Sequence, residues 1–216
     1  MLNDYDRYKR MADIAEIKNL QGRYMYYIEQ FSYEKIWEDL FDTNNPQVSA
    51  EFEESGCFEG PEQVKTLFLG LLELARGPVF GVFPMTTIST PLVVFNHDRE
   101  KAKGYWHYFG PNAMEAFVYP NKKQELTAFW TGGKFANEYI RTQEGWRLLK
   151  LCQMNWFRTP YEMGWIKQPD CRRLRLPAYC VPDKPSRSYT YHPAAEYSKD
   201  GSYNWGPFPV HDGDFF

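Results

Sequence analysis

The sequence predicts an α+β protein in which three N-terminal helices pack on one face of a curved antiparallel sheet. Helical periodicity is confined to the first 77 residues, and alternating, strand-like segments follow it. The segment 123–165 then reads as one long hairpin whose first arm is interrupted by paired glycines. A bent sheet with long strands has a concave side that the helices can close. We therefore expect a cone-shaped pocket.

The first helix is predicted over residues 11–31, where apolar residues recur in steps of three or four. Half of this stripe is aromatic, and it ends next to Glu29. Ser32 can cap a second helix, Tyr33 to Phe41. The apolar residues of the first stripe are Ile14, Ile17, Leu20, Tyr24, Tyr27 and Phe31.

A half-buried strand is predicted over Val48 to Glu54, because Val, Ala and Phe alternate there with Ser and Glu. A third helix begins near Pro61, where a proline and acidic residues suit the first helical turn. Gly77 and Pro78 end this helix. The early part of the chain is therefore predicted as three helices with one strand.

The remaining predicted elements form an antiparallel meander. Strands are expected at Thr87 to Phe95 and at Ala102 to Phe109, with a turn between them and a loop over 110–122 after them. The long hairpin follows and turns at Thr142 to Gly145. A bulge is expected at Gly132-Gly133 in its first arm.

Composition limits the possible partners. The net charge of −3 gives no electrostatic case for binding nucleic acid or an anionic membrane. The aromatic content of 18% fits a wide apolar cavity, large subunit contacts, or only a well-filled core. None of the four cysteines forms a CxxC pair or a zinc-type cluster with histidine. The sequence also has no Walker loop and no dinucleotide glycine fingerprint after a strand, so we expect no cofactor and no metal.

The ends of the chain carry further expectations. The N-terminus is too charged for a signal peptide, and no apolar run approaches a membrane span, so a cytoplasmic protein is predicted. Residues 166–216 hold many prolines and tyrosines without periodicity. We predict a domain over residues 1–165 and, over 166–216, an extended arm laid on its own domain or on a neighbouring subunit.

Three segments carry a resemblance to a known family: GCFEGPEQVKTLF (56–68), AKGYWHYFG (102–110) and GGKFANEYIRTQEGWRLLKL (132–151). With the aromatic-rich first helix, they resemble the SnoaL-like, scytalone-dehydratase-like branch of the NTF2-like superfamily over residues 10–165. The resemblance implies a cone-shaped α+β barrel with one pocket per subunit, usually in a homodimer or homotrimer. It also implies dehydratase, isomerase or lyase activity without a cofactor.

The resemblance has two departures. Scytalone dehydratase has a second histidine just before the meander, whereas Val82 to Thr87 contains none. Its tyrosine on the first strand appears here as Phe52. Scytalone itself is therefore not the expected substrate.

Three residues are candidates for acid–base catalysis. His107 stands where the related dehydratase carries a pocket histidine, and an imidazole can exchange a proton near neutral pH. Its neighbour Trp106 could take that place instead, because adjacent strand residues face opposite ways. Glu29, near the end of the first helix, and Glu138, in the second long strand, could act as a base or orient one. Each could equally be an ordinary surface group.

Four further residues are predicted to bind the substrate. Tyr24, Tyr27 and Trp106 would supply flat walls for an aromatic or polycyclic compound, although each could be ordinary core. Asn137 could hydrogen-bond a developing oxyanion. Asn137 and Glu138 have opposite parity, so only one of them can face the pocket, and the family pattern favours Glu138.

These observations predict a lyase that eliminates water or a small carbonyl fragment, such as formaldehyde, from a hydroxylated aromatic or polycyclic compound. Fold alone does not decide the chemistry. The same sequence pattern also fits two alternative functions: a non-catalytic protein that binds a hydrophobic metabolite in its pocket, and an oligomerising interaction module.

Overall fold

The structure of the protein is a computed structural model that describes residues 4–52, 55–74, 81–114, 126–170 and 176–186. Four helices and seven strands lie in these ranges. The helices are α1 (Asp4–Glu29), α2 (Tyr33–Leu40), α3 (Pro61–Leu74) and α4 (Gly164–Lys167). The strands are β1 (Ser49–Phe52), β2 (Gly56–Glu59), β3 (Phe83–Pro84), β4 (Thr87–Phe95), β5 (Lys101–Met114), β6 (Thr127–Thr142) and β7 (Gly145–Pro160).

The strands form one strongly curled sheet, a half-barrel, in the order β2-β1-β7-β6-β5-β3, with β4 also paired to β5. All pairs are antiparallel except β1 with β7. The predicted α+β fold with helices on a curved sheet is confirmed. We call the side of β5, β6 and β7 that faces α1 and α2 the inner face, and the opposite side the outer face.

Helix α1 contacts the inner face of β6 through its side chains. Near the β6–β7 turn, Asp13 of α1 lies 2.6 Å from the Arg141 guanidinium and accepts a hydrogen bond from the Trp146 indole. Further along, Tyr24 packs edge-on against Phe135, with 5.5 Å between ring centroids. The helix ends at Glu29.

Most predicted elements agree with the structure, and the differences have local causes. Helix α1 begins at Asp4 rather than at residue 11, because the intervening polar residues contain no helix breaker and Asp4 and Asp6 suit the first turn. The predicted single early strand is a hairpin, β1 and β2. Gly56, at φ 103°, supplies the backbone conformation that begins β2.

Strand β5 is longer than predicted. It continues from Phe109 to Met114 and pairs with β6 throughout, so residues 110–114 of the predicted loop 110–122 belong to this strand. Gly110 permits this extension, because a Cβ there would lie 2.0 Å from the Met85 carbonyl oxygen. Residues 115–125 of the predicted loop lie outside the described residues.

The predicted bulge at Gly132-Gly133 is confirmed by a shift in the β6–β7 register at that point. One extra residue of β7, Trp156, lies opposite this step, and a second shift follows between Glu138 and Tyr139. These irregularities bend the two longest strands around the helices.

Part of the predicted arm lies on its own domain. Residues 176–186 run beside β2, where the Cys57 N–H donates to the Lys184 carbonyl oxygen at 2.8 Å. The Cys180 side chain is buried next to Gly70 of α3. Residues 171–175 and 187–216 of the arm lie outside the described residues. Among the helices described, none is both long enough and apolar enough to span a membrane.

Candidate active site on the inner face

Strand alternation sorts the residues of β5 and β6 between the two faces. Trp106 lies on the inner face, is 2% exposed and donates from its indole N–H to the Tyr139 hydroxyl at 3.1 Å. Asn137 and Tyr139 lie on the same face and contact α1. His107, Lys134 and Glu138 belong to the opposite parity.

A hydrogen-bonded cluster joins α1 to the inner face. Gln21 Oε1 accepts from Asn137 Nδ2 at 2.8 Å and from the Tyr139 hydroxyl at 3.0 Å. Asn137 Oδ1 accepts from the Cys152 backbone N–H at 2.9 Å, beside the irregular part of the ladder. The side-chain amide of Asn137 therefore fixes the position of Gln21. Gln21 Nε2 is buried and has no hydrogen-bond partner among the described residues.

Two tyrosines lie between this cluster and the far end of the sheet. Tyr24 is 1% exposed, and its hydroxyl has no hydrogen-bond partner in the described ranges. Burial raises the pKa of Tyr24 well above its ordinary value, with smaller contributions from Tyr33 and Tyr108 nearby. Burial raises the pKa of Tyr33 to about 12, against an opposing effect of the Arg158 charge. Both phenols are therefore protonated near neutral pH and available as donors.

The far end of the inner face adds neutral polar groups. The Tyr108 hydroxyl donates to Asn155 Oδ1. The Tyr108 ring packs against the Phe135 ring, with 5.0 Å between the ring centroids. Gly133 makes this contact possible, because a Cβ there would lie 2.7 Å from the Tyr108 hydroxyl. Together these residues make an inner face that is aromatic, polar and uncharged between Arg141 at the β6–β7 turn and Arg158 at the far end of β7.

His107 lies on the outer face, away from this cluster. Its Nδ1 lies 2.5 Å from Thr90 Oγ1, and its Nε2 lies 3.1 Å from the Tyr105 hydroxyl. Burial lowers the pKa of His107, and the positive charge of Lys134 lowers it further. The sequence left open whether His107 or Trp106 faces the helices. In the structure Trp106 lies on the inner face and His107 on the outer face.

Glu138 also lies on the outer face, where its carboxylate is 3.1 Å from the Lys150 ammonium group. This orientation is the reverse of the predicted one, because Asn137 has the parity that faces α1. Glu29 is the last residue of α1 and is exposed. The structure does not bring His107, Glu138 and Glu29 together in one site.

The remaining predicted residue, Tyr27, is half-buried between α1 and α2. Its hydroxyl donates to Asp39 Oδ2 at 2.5 Å, and Arg23 lies 3.6 Å from the same carboxylate oxygen. Tyr27 therefore joins the two helices. Of the four predicted binding residues, Trp106 and Asn137 lie on the inner face, and Tyr24 of α1 packs against it at Phe135.

Sequence reasoning missed several residues of this site. Gln21 is polar within the apolar stripe of α1, which was the available signal for a buried polar role. Glu34, in the first turn of α2, is half-buried, and its Oε2 is buried without a hydrogen-bond partner in the described part of the chain. The other missed residues are Tyr33, Tyr108, Asn155 and Arg158.

No group of three His, Cys, Asp or Glu side chains within the described ranges is arranged to hold a metal ion. The inner face presents hydrogen-bond donors, and the carboxylates of Glu29 and Glu34 lie near the junction of α1 and α2.

Comparison with known proteins gives a family and a fold. Residues 9–151 match the SnoaL-like domain family. No curated protein sequence is detectably similar to the chain. Similar solved structures include the Kfla4162 protein from Kribbella flavida, which is 18% identical with a TM-score of 0.52 and aligns 69% of this chain with 94% of that one.

Two further structures are similar at the level of the fold. A candidate scytalone dehydratase from Novosphingobium aromaticivorans is 11% identical, with a TM-score of 0.51, over 77% of this chain and 97% of that one. A candidate dehydratase of the NTF2-like family from Streptomyces avermitilis is 12% identical, with a TM-score of 0.51, over 66% of this chain and 95% of that one. The half-barrel is thus an NTF2-like fold.

Proposed function

The chain belongs to the SnoaL-like family, and from this membership and the inner-face geometry we propose that it is a cofactor-independent lyase. Its substrate would be a hydroxylated aromatic or polycyclic compound that loses water or formaldehyde. The observation that carries the proposal is the buried hydroxyl of Tyr24, which has no hydrogen-bond partner among the described residues and lies beside Phe135 and Tyr33. A buried donor without a partner costs free energy, which a bound oxygen atom would recover.

Tyr24 and Tyr33 act as donors to the departing oxygen. Because burial raises the pKa of both phenols, each is protonated near neutral pH and stabilises negative charge on a substrate oxygen as the C–O bond breaks. Gln21 Nε2 offers a third buried donor, held in place by Asn137 and Tyr139. Trp106 and Phe135 supply the apolar surface on which an aromatic ring packs.

The base in this proposal is a carboxylate near the junction of α1 and α2. Glu34 is assigned this role because its Oε2 is buried and lacks a hydrogen-bond partner among the described residues. Glu29, the carboxylate predicted from the sequence, ends α1 five positions earlier and is the second candidate. His107 and Glu138 lie on the outer face, so their predicted catalytic roles would require a substrate on that side.

Dehydration and formaldehyde release use the same groups. In dehydration, the carboxylate removes a proton from carbon, the C–H electron pair forms the double bond, and hydroxide leaves and is protonated by a tyrosine to give water. In the retro-aldol version, the carboxylate removes the proton of a primary hydroxyl. The C–C bond then breaks to release formaldehyde, its electron pair forms the double bond, and the second hydroxyl leaves as water.

A turnover assay tests the proposal. The protein is incubated with a panel of benzylic alcohols and diaryl-substituted 1,3-diols, and the products are identified by mass spectrometry as having lost water, or water and formaldehyde. Turnover that Tyr24→Phe and Glu34→Gln each reduce at least about a hundredfold supports the proposal. Turnover that neither substitution affects contradicts the assigned site.

A second candidate function has one observation in its favour. The described inner face carries no histidine, and most of its polar groups are neutral, which also suits a protein that binds a hydrophobic metabolite without changing it. In that case, aromatic alcohols bind and are recovered unchanged in the same assay.

We also propose a homodimer or homotrimer. The support is a set of exposed aromatic side chains toward the far end of the outer face, where Phe109, 47% exposed, stacks on Trp130 and Trp165 stacks on Phe157. Exposed aromatic surface of this kind is typical of subunit contacts. Sedimentation velocity measures the assembly state, and a monomeric protein at micromolar concentration would contradict this part.

A further inference from the structure

A cleft lies between α1 and the turn that joins β4 to β5, apart from the hydrogen-bonded cluster of the inner face. We call it the turn cleft. Its volume is about 560 Å³, which is within the range of cavities that hold small organic molecules. Asp6 and Arg10 of α1 line one side, and the chain from Val94 to His97, with Arg99, lines the other.

One surface of the turn cleft is apolar and firmly packed. Phe95, the last residue of β4, is 7% exposed, and its ring packs against Trp146 with 5.7 Å between ring centroids. Val94 beside it is half-buried. The Arg10 guanidinium lies 5.9 Å from the centroid of the Phe95 ring. An apolar group that packs on Phe95 is therefore close to the Arg10 charge.

Hydrogen bonds fix the turn that forms the other side of the cleft. Asn96 Oδ1 accepts from the Lys101 backbone N–H at 2.8 Å, and the Arg99 backbone N–H donates to the Asn96 carbonyl oxygen at 3.1 Å. The Arg99 guanidinium reaches α1, where it lies 3.4 Å from an Asp6 carboxylate oxygen. Because this ion pair joins the turn to the helix, the two sides of the cleft are held together.

The side chains that line the cleft carry one excess positive charge, because two are arginines and one is an aspartate, with the histidine counted as neutral. Arg99 and Asp6 form an ion pair, whereas Arg10 has no hydrogen bond or ion pair with a described residue. The other acids of the turn, Asp98 and Glu100, do not line the cleft. Arg10 is thus the charge that the cleft presents to a ligand.

We propose that the turn cleft is a second binding site, for a small organic anion with one carboxylate and an aromatic body. The carboxylate pairs with Arg10, whose planar guanidinium suits it, and the aromatic body packs on Phe95 and Val94. A phosphate monoester fits less well, because its charge approaches −2 near pH 7 and the Asp6 carboxylate lines the same cleft. Along α1, the Asp13–Arg141 ion pair separates this site from the inner-face cluster.

A matched pair of probes tests the proposal by isothermal titration calorimetry at low ionic strength. 1-Naphthoate and 1-naphthamide have almost the same shape and differ in charge. The wild-type protein is expected to bind the naphthoate about three- to tenfold more tightly, as a charge-assisted pair at a partly exposed site requires. Arg10→Met should remove this preference, and Arg10→Lys, which keeps the charge, should retain part of it.

Arg7→Met is the matched control, because Arg7 is on the same helix, is exposed like Arg10, and pairs with Asp4 outside the cleft at 3.6 Å. Both variants lose one positive charge, and Arg7→Met should keep the full preference for the naphthoate. The proposal is overturned by equal binding of the two probes to the wild-type protein, by a preference that survives in Arg10→Met, by an equal loss in Arg7→Met, or by no binding of either probe.

A third probe tests the class of anion. 1-Naphthyl phosphate has the same aromatic body and a larger negative charge. It is expected to bind no more tightly than the naphthoate, and tighter binding that depends on Arg10 would overturn the assignment to a carboxylate.

The inference does not rest on the proposed function, and the two outcomes are separable. If the naphthoate preference depends on Arg10 but no alcohol is turned over, the turn cleft stands and the lyase fails. If the probes bind equally while Tyr24→Phe and Glu34→Gln abolish turnover of neutral alcohols, the cleft inference fails and the lyase stands.

Discussion

Polar groups on the two sides of β5, β6 and β7 differ in whether they have hydrogen-bond or ion-pair partners. On the outer face, Glu138 pairs with Lys150, and both ring nitrogens of His107 lie near hydroxyl groups. Against the inner face, Tyr24 and Gln21 of α1 keep buried polar atoms with no partner in the described residues. Satisfied groups indicate a structural role, whereas buried unsatisfied groups indicate a place for a ligand. The comparison thus favours the inner face over the histidine as the site of chemistry.

The largest effect on turnover is expected from a substitution of the Glu34 carboxylate. Glu34→Gln keeps the shape of the side chain and removes the base, so turnover should fall by a factor of about 10² to 10⁴. Glu138→Gln makes the same change on the outer face and should leave turnover within about twofold, because its loss affects only a half-buried ion pair away from the proposed site. Steady-state kinetics on one substrate compare the two. A larger loss in Glu138→Gln than in Glu34→Gln would reverse the assignment of the faces.

Gly133 tests whether the inner wall is packed as closely as the structure indicates. Gly133→Ala would place its Cβ 2.1 Å from the Met154 carbonyl oxygen and 2.7 Å from the Tyr108 hydroxyl. We expect this substitution to lower the free energy of unfolding, measured by urea denaturation, by about 1–3 kcal/mol. Gly22→Ala on exposed α1, with nothing within 4 Å of its Cβ, should instead raise it by about 0.5–1 kcal/mol. Equal effects of the two substitutions would contradict the packing.

The buried phenols predict an alkaline loss of stability. The pKa of Tyr33 is about 12 in the folded protein, above the value of about 10 in an unfolded chain. Between these values the folded state binds more protons than the unfolded state, so stability is complete below pH 10 and falls as the pH rises toward 12.

Urea titrations at several alkaline pH values measure this slope. Tyr33→Phe should make it shallower, and Tyr5→Phe, which removes a phenol that is 65% exposed, should leave it unchanged. The same slope in wild type and Tyr33→Phe would show that Tyr33 is not buried as described.

A smaller effect is expected from the cluster that joins α1 to β6. Asn137→Asp replaces the Nδ2 that donates to Gln21 with an oxygen that cannot donate. If Gln21 is a positioning residue for substrate, KM should rise more than kcat falls, because ground-state binding is weakened first. Asn112→Asp, another buried asparagine on the inner parity of β5, serves as the control. A fall in kcat with unchanged KM would instead implicate Asn137 in the chemical step.

Much of the fold was predictable because it depends on local patterns. The strand Thr87–Phe95 and the Gly132-Gly133 bulge follow from alternation and from glycine. The site was harder to predict, because one residue of register decides which face a side chain occupies. The family pattern favoured Glu138, whereas the structure places Asn137 inward. Arg158 could not be placed from alternation alone, because the bulge changes the parity of β7 between Asn155 and Arg158.

The most direct test of the central claim compares Tyr24→Phe with His107→Gln on one substrate that the protein turns over. One substitution removes a titratable group of α1 that packs against the inner face, and the other removes a titratable group on the outer face of the sheet. The inner-face account predicts that kcat/KM falls at least about a hundredfold in Tyr24→Phe and stays within about twofold in His107→Gln. A large loss in His107→Gln with full activity in Tyr24→Phe would contradict it and would move the chemistry to the outer face.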